Sequence, residues 1–392
     1  MFLHIDCNTF FASCEVATNP ALAGKPVVVA NENEAGGGVI LALTAEAKAL
    51  GLKRGMPVFK VRRLIEAGGV TLCRADHDKY RRISRQIMEA VVQQAVVLDF
   101  VQYSVDEFFG TLPLSDPDQL RHYAAMVKDM ITLTTGIPVS CGLGETYTLA
   151  KTATHFAKHY PGYHGICVLT PDKCLKALSL IDAADVWGIG RKTLRGLMLE
   201  GVTTAADFIN LKESRVQQHF GTRVLKTWLE LQGIPSIELR EHALQQTIMQ
   251  SHTFGYMLDT LEALEPAVRG FAQRCAATLR RQGGVCGTVT LFLSTNRHRP
   301  DLPQYSNSAT RRLPSPTADT AQLLKAASAL LRTLYRPGYR YKQAGIILGA
   351  VEPLEGQQLD IFNAATSERR QHLLEVADSI NARFGQGTIG FA

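Results

Sequence analysis

The apolar residues of the first 168 positions recur with spacings that predict strands and helices in the order β, α, β, β, α, β. Strands are predicted at residues 2–5, 96–103, 108–112 and 138–143, and the main helices at residues 78–92 and 119–133. Shorter helical patterns occupy residues 9–18 and 146–159. This order is typical of the split βαβ arrangement, in which the first and third strands are neighbours at the sheet centre. Asp6 follows the first strand, and Asp106 and Glu107 precede the third, so we expect these acids to meet.

The rest of the chain divides into smaller patterns. Residues 20–69 resemble an inserted unit, with a strand at 27–30, a glycine-rich turn at 36–38 and a helix at 45–50 closed by Gly51. Residues 175–232 predict short helices around the segment WGIGRKT. Residues 247–351 repeat the order strand, helix, strand, strand, helix, strand, which predicts a second domain of similar topology. A tail with the sequence QQLDIF and a helical piece follows.

Composition narrows the class of protein. With 392 residues, 46% of them hydrophobic and 20% charged, the chain is expected to form several soluble globular domains. It contains no apolar run of 18 residues, and its start lacks the layout of a signal peptide, so we expect a cytoplasmic protein. The eight cysteines form no CxxC pair and no zinc-type cluster, and we expect them to be reduced, buried and inert.

The positive charge is concentrated in one segment. The whole chain carries +6, whereas residues 243–350 hold 13 Lys and Arg against 5 Asp and Glu, a net +8, so the remainder sums to −2. This distribution favours a polyanionic partner for the segment, and a merely solvated basic face is the alternative.

Three carboxylates that converge at strand ends suit hard divalent cations such as Mg²⁺, which prefer oxygen ligands. Two such ions could support in-line phosphoryl displacement, and therefore nucleotidyl transfer. In the alternative interpretation, Asp6 caps a helix, and Asp106 and Glu107 belong to a solvated turn.

Several motifs resemble those of the Y-family translesion DNA polymerases, in particular the polymerase V type. DCNTFFASCE at 6–15 and YSVDEFFGTL at 103–112 resemble the two metal-binding motifs of that family. YRRISRQIM, the LAK and AKHYPG segments, WGIGRKT and TAEAKALG occur at matching distances along nearly the whole chain.

The resemblance implies an α+β multidomain fold, the right-hand polymerase with a split-βαβ palm. It assigns residues 1–20 and 70–168 to the palm, 21–69 to small fingers and 169–234 to a thumb with a helix-hairpin-helix. It assigns 243–351 to a βαββαβ little finger and 352–392 to a tail.

The resemblance also implies roles for individual residues. Asp6 and Asp106 would bind both of two Mg²⁺ ions, with Glu107 and the Cys7 carbonyl as further ligands. Phe11 matches the steric gate against a 2′-hydroxyl, although a core aromatic is the alternative.

The remaining nucleotide-binding predictions are less uniform. Phe10 could shape the pocket beside Phe11, and Lys158 matches a lysine on the incoming triphosphate, although a solvated surface lysine is the alternative. In the fingers, Ala45 and Lys48 stand where the family commonly has a tyrosine and an arginine. This departure puts nucleotide affinity in question, although Lys48 could still neutralise phosphate.

The duplex is expected to contact two regions. One is the hairpin, which could equally be an ordinary helix turn; its predicted contacts are Gly188, Gly190, Arg191 and Lys192. The other is the basic segment, with Arg297, Arg299, Arg311, Arg312, Arg340 and Lys342.

A short tail peptide resembles the sliding-clamp motif of bacterial polymerases, although chance matches to five residues are common. It consists of Gln358, Leu359, Asp360, Ile361 and Phe362. The implied partners are primer-template DNA, deoxynucleoside triphosphates and the sliding clamp, with a small dimeric accessory subunit and a recombinase filament implied by the polymerase V resemblance alone.

The leading hypothesis is a low-fidelity translesion polymerase. A catalytically silent DNA-binding scaffold of the same fold is the second hypothesis, and the intact acids argue against it. A nucleotidyl cyclase is the third, and it would have no use for a hairpin grip or a basic domain.

Overall fold

The computed structural model describes residues 1–31, 38–67, 69–94, 97–239, 244–354, 364–385 and 388–390. The chain divides into two compact units, Met1–Glu241 and His242–Ala392. The larger, N-terminal part of the first unit contains β1 (Phe2–Cys7), α1 (Phe10–Thr18), β2 (Val27–Ala30), β3 (Ile40–Leu43), α2 (Ala45–Ala49), α3 (Val58–Glu66), β4 (Thr71–Arg74), α4 (His77–Gln94), β5 (Leu98–Gln102), β6 (Glu107–Thr111), α5 (Pro117–Thr135), β7 (Val139–Gly144), α6 (Tyr147–His159) and β8 (Ile166–Val168). The first unit ends with the helices α7 (Pro171–Leu178), α8 (Arg191–Leu199), α9 (Ala205–Ile209), α10 (Glu213–Phe220) and α11 (Thr222–Leu231).

A five-stranded sheet with the order β5-β6-β1-β7-β8 is the centre of the first unit. The prediction that the first and third strands are neighbours is confirmed, because β1 pairs antiparallel with β6 on one side and with β7 on the other. The strand β8 pairs parallel with β7 and was not predicted. At three residues, it is too short for its hydrophobic pattern to indicate a strand.

The helix α6 lies directly on the sheet because β7 carries two glycines. A Cβ atom at Gly142 would come within 2.2 Å of the Thr154 backbone nitrogen, and one at Gly144 within 2.7 Å of the Ala150 nitrogen. Any larger residue would force the helix away from the strand. Thr146 caps the helix by accepting a hydrogen bond from the Leu149 amide.

A separate three-stranded sheet with the order β3-β2-β4 forms within residues 27–74. The predicted strand at 27–30 and the helix after it are confirmed as β2 and α2. Thr44 caps α2, and Gly51 follows it with φ 80°.

The second unit contains β9 (Ile248–Leu258), α12 (Leu261–Arg281), β10 (Gly284–Thr295), β11 (Ser306–Thr317), α13 (Thr320–Leu334), β12 (Tyr341–Pro353) and α14 (Ala364–Phe384). The element order is the predicted one, but the strand order is β11-β10-β12-β9. The predicted similarity of topology is wrong at this point: the second and fourth strands of this unit are central, whereas the first and third are central in the other sheet. The apolar faces of α12 and α13 pack on the sheet and form its core.

The C-terminal helix α14 is attached to α12 by an ion pair. Arg280 donates from Nε and Nη2 to the two carboxylate oxygens of Asp378, each at 2.7 Å. In the adjacent turn of α14, Leu374 and Ala377 are buried.

All eight cysteines are free thiols. Six are buried as predicted, whereas Cys73 and Cys174 are half-buried. Of the helices in the described ranges, none combines the length and apolarity that crossing a membrane requires.

Candidate active site

The three predicted carboxylate ligands lie together at the ends of the two central strands. Asp6 of β1 is the register partner of Glu107 in β6, and the Asp106 carbonyl accepts a 2.9 Å hydrogen bond from the Cys7 amide. The Ser104 hydroxyl donates to Oδ1 of Asp106 at 2.6 Å. The structure therefore brings together acids from two segments that are about a hundred residues apart in sequence.

Two lysines of α6 reach this cluster. Lys151 Nζ lies 2.8 Å from Glu107 Oε1, and Lys158 Nζ pairs with Asp6 Oδ1. Residues seven apart share one face of a helix, which is why both ammonium groups reach the same strand ends. Lys158 was predicted as a triphosphate contact, and here it lies in the carboxylate cluster. Lys151 was missed, although its seven-residue spacing from Lys158 was a usable signal.

The carboxylates of the cluster are close enough to repel one another, so nearby positive charges stabilise them. Burial raises the pKa of Asp6, the Lys158 ammonium opposes that rise, and the neighbouring Glu107 and Asp106 charges add to it. Within the ranges that the structure describes, no three His, Cys, Asp or Glu side chains form a ready-made metal site. In this arrangement the lysines serve as counter-ions of Asp6 and Glu107.

His4 lies two residues before Asp6 on the same strand face and was also missed. It is 1% exposed, its Nδ1 lies 2.8 Å from the Thr154 hydroxyl, and its Nε2 lies 3.8 Å from Glu107 Oε1 with no hydrogen-bond partner among the described residues. Burial, followed by the Lys151 and Lys158 charges, holds the pKa of His4 well below its usual value. His4 is therefore neutral, and its approach to Glu107 is not an ion pair.

Lys151 is also enclosed by two aromatic rings. Its Nζ lies 5.0 Å from the ring centroid of Tyr103 and 5.3 Å from that of Trp187. The Trp187 indole donates to the Tyr103 hydroxyl at 3.3 Å. Trp187 begins the WGIGRKT segment, so the predicted hairpin contacts a lysine that pairs with Glu107.

The predicted nucleotide-binding aromatics have different environments. Phe10 is only 3% exposed and belongs to the core, so its part in shaping a pocket beside Phe11 stays a prediction. Phe11 is half-buried, and its ring stacks on Tyr80 with centroids 4.5 Å apart. Lys48 is exposed on the short helix α2.

The hairpin has the geometry of a tight turn into a helix. Gly188 has φ 91°, a region that disfavours side chains, and a Cβ there would come within 2.5 Å of the Thr227 hydroxyl. Gly190 is the N-cap of α8, and a Cβ there would meet nothing within 4 Å. Arg191 and Lys192 follow it and are exposed. An open helix start flanked by cations is suited to a phosphate.

Most of the predicted basic contacts in the second unit are exposed. Four form no ion pair with an acid in the described part of the chain: Arg297, Arg311, Arg312 and Arg340. Arg299 pairs with Asp301. Lys342 differs, because it is half-buried and its ammonium donates to the carbonyls of Phe254 and Gly255. The clamp-like peptide at 358–362 lies outside the described residues.

Comparisons with known proteins identify the fold and the family. A solved Y-family DNA polymerase chimera of Dbh and Dpo4 matches with a TM-score of 0.72 and 21% identity, covering 90% of this chain and 99% of that one. The chain thus has the fold of Y-family DNA polymerases, which confirms the predicted fold class.

Sequence comparisons define the family more narrowly. Residues 5–155 match the impB/mucB/samB family, and residues 245–361 match the C-terminal domain of that family. UmuC of Salmonella typhimurium is 33% identical over 397 residues, covering 100% of this chain and 93% of that protein. DNA polymerase IV of Desulfatibacillum aliphaticivorans is 26% identical over 395 residues, covering 99% and 95%. The chain belongs to the impB/mucB/samB family.

Proposed function

We propose that this chain is a template-directed, low-fidelity DNA polymerase that extends primers past damaged template bases by two-metal nucleotidyl transfer. The observation that carries the proposal is the meeting of Asp6, Asp106 and Glu107 at the ends of the central strands of a Y-family fold. The polymerase names of its relatives support the same reaction class.

The donor set fits divalent metal. Asp6, Asp106, Glu107 and the Cys7 carbonyl are hard oxygen ligands. Burial and, after it, the charges of Glu107 and Asp106 raise the pKa of Asp6, and added positive charge would offset both effects. Two Mg²⁺ ions bound there would supply the activation of the primer hydroxyl and the neutralisation of the leaving phosphate.

The chain itself positions the substrates. We propose that Lys158 exchanges its contact with Asp6 for the triphosphate of the incoming deoxynucleotide, because a flexible ammonium suits that anion. Phe11 excludes a 2′-hydroxyl from the sugar site, and Lys48 contributes positive charge from the fingers.

The hairpin and the basic second unit would hold primer-template DNA without reading its sequence. The open N-cap at Gly190, with Arg191 and Lys192 beside it, suits one phosphate, and the exposed arginines of the second unit suit others. The corresponding domains are a palm at 1–20 and 70–168, fingers at 21–69, a thumb at 169–234, a little finger at 243–351 and a tail at 352–392.

Partners beyond DNA and nucleotides rest on sequence resemblance. The peptide at 358–362 would dock on a sliding clamp. A small dimeric accessory subunit and a recombinase filament are expected from the relationship to the polymerase V type.

Extension of a primed template, with and without an abasic site, tests the proposal. The native chain should extend the primer in Mg²⁺, Asp106→Ala should not, and Asp118→Ala, which alters an exposed acid on α5, should match the native chain. If the native chain and Asp106→Ala bind DNA equally but neither extends a primer, the chain is a DNA-binding scaffold of the same fold.

A further inference from the structure

The ring of Phe11 is supported from behind by a second aromatic ring. Phe11 and Tyr80 stack with centroids 4.5 Å apart and planes inclined by 15°. The imidazole of His77 meets the Phe11 ring edge-on at 5.6 Å. Both supporting residues lie on the first turn of α4, so Phe11 on α1 is held against another helix.

Tyr80 is in turn fixed by a buried ionic network. It is fully buried, and its hydroxyl donates to Glu15 Oε1 at 2.6 Å. The other oxygen of Glu15 accepts from Lys79 Nζ, also at 2.6 Å. Glu15 is only 7% exposed and belongs to the same helix as Phe11. One carboxylate thus holds two successive residues of α4 against α1.

This arrangement is more than a hydrophobic core requires. A phenylalanine at position 80 would fill the same space without burying a hydroxyl and a carboxylate, both of which lose hydration. Burial, followed by the hydrogen bond to Glu15, raises the pKa of Tyr80, so the phenol remains a donor. The stacking on Phe11 and the hydrogen bond to Glu15 therefore fix the position of the Tyr80 ring more tightly than packing alone would.

The stiffness of this support bears on sugar selection. A ring that excludes a 2′-hydroxyl discriminates only as far as it cannot retreat from the added oxygen, because a movement of a few tenths of an ångström relieves much of a steric clash. One face of the Phe11 ring lies against Tyr80, so a retreat in that direction must displace Tyr80 and strain its bond to Glu15.

We propose that Tyr80, anchored by Glu15, is a positioning residue that sets how strongly the protein discriminates deoxyribonucleotides from ribonucleotides. The inference rests on the proposed function, and specifically on Phe11 as the residue that contacts the sugar.

The experiment measures kcat/KM for a ribonucleoside triphosphate and for the matching deoxyribonucleoside triphosphate opposite one template base. The variants are Phe11→Ala, Tyr80→Leu, Tyr80→Phe and Glu15→Gln, with Phe208→Leu as the matched control. Phe208 is also fully buried in the first unit, but it belongs to the core of the C-terminal helices of that unit and not to the Phe11 cluster.

The readout is the ratio of the ribonucleotide value to the deoxyribonucleotide value, which a general loss of stability does not change. Phe11→Ala should raise the ratio at least about tenfold. Tyr80→Leu should raise it about threefold to tenfold, the range that the worth of one aromatic pair allows. Tyr80→Phe and Glu15→Gln keep the ring and should raise it about twofold to threefold, whereas Phe208→Leu should leave it unchanged.

The outcomes separate the two proposals. If no variant and not even the native chain extends a primer, the proposed function fails. If Phe11→Ala raises the ratio while Tyr80→Phe, Glu15→Gln and any folded Tyr80→Leu match Phe208→Leu, the polymerase assignment stands and the role of Tyr80 is overturned. If Phe11→Ala leaves the ratio unchanged, Phe11 is not the sugar contact and the inference is overturned with it.

Discussion

Glu230 fixes the start of the helix that carries both lysines of the carboxylate cluster, and its replacement offers a sharp test of how that cluster is built. The side chain is fully buried. Its Oε2 accepts from the Thr148 amide at 2.9 Å, and its Oε1 accepts from the amides of Ser236 and Ile237 at 2.9 and 3.1 Å. Thr146 adds a hydrogen bond from its hydroxyl to the Glu230 carbonyl at 2.7 Å. A single carboxylate therefore ties α11 to the first turn of α6.

The magnitude of the effect follows from these contacts. In Glu230→Gln, the remaining side-chain oxygen can still accept from the amides of Ser236 and Ile237. The new amide nitrogen then faces the Thr148 N–H, which loses its acceptor. Losing one hydrogen bond to a charged acceptor, and leaving a buried donor without a partner, costs about 2 to 4 kcal/mol in the free energy of unfolding. With a urea dependence of about 3 kcal/mol per molar, the unfolding midpoint should fall by about 1 M.

Tryptophan fluorescence is the appropriate assay, because both tryptophans of the chain, Trp187 and Trp228, lie in the first unit. The control is Glu213→Gln, an exposed glutamate on α10, which should change stability by no more than about 0.5 kcal/mol. If the two variants unfold at the same urea concentration, the Glu230 carboxylate does not anchor α6 and the reasoning is refuted.

Three further predictions test neighbouring features. Gly142→Ala should destabilise the first unit by at least about 3 kcal/mol, because its Cβ would lie 2.2 Å from a backbone nitrogen. The control Gly162→Ala, whose Cβ would meet nothing within 4 Å, should leave the stability unchanged, and equal urea midpoints for the two variants would contradict the close packing of α6 on β7. A double-mutant cycle of Arg280→Met and Asp378→Asn, with proteolytic release of α14 as the measurement, should give a coupling free energy of about 1 to 3 kcal/mol between the two residues. Additive effects of the two substitutions would show that the ion pair does not hold the helix. In a Trp228→Phe background, Mg²⁺ should change the emission of Trp187, because Lys151 contacts both that ring and Glu107; a response that survives Lys151→Met would rule out this connection.

Local patterns in the sequence were sufficient to predict the sheet that carries the site. The apolar run of β1, interrupted only by His4 before Asp6, and the hairpin around Asp106 both have clear periodicity. Once the split βαβ order was recognised, the meeting of Asp6 with Glu107 followed from the rule that the first and third strands are neighbours. The meeting of these acids could be predicted because they lie at strand ends, where topology alone determines proximity.

What could not be predicted depends on tertiary contacts that leave no periodic pattern. The strand order of the second unit differs from that of the first, although both have the same element order, because alternation of apolar residues does not encode which edge a strand joins. Phe10 and Phe11 are adjacent in sequence, yet one is in the core and the other is half-buried, since the direction of the helix decides which ring turns inward. Glutamate is usually a surface residue, and the burial of Glu230 is explained only by the three backbone amides that donate hydrogen bonds to its carboxylate.

The two lysines of α6 offset the unfavourable electrostatics of the carboxylate cluster. Burial makes it costly to keep Asp6 ionised, and repulsion from Glu107 and Asp106 adds to that cost. With Lys151 on Glu107 and Lys158 on Asp6, two of the three carboxylates have an internal counter-ion in the unliganded protein. Because a carboxylate would exchange an internal ammonium for a cation from solution, it has a positive partner in both states. Lys151 then retains the rings of Tyr103 and Trp187 as a favourable environment, so its displacement from Glu107 does not leave an unpartnered charge in the site.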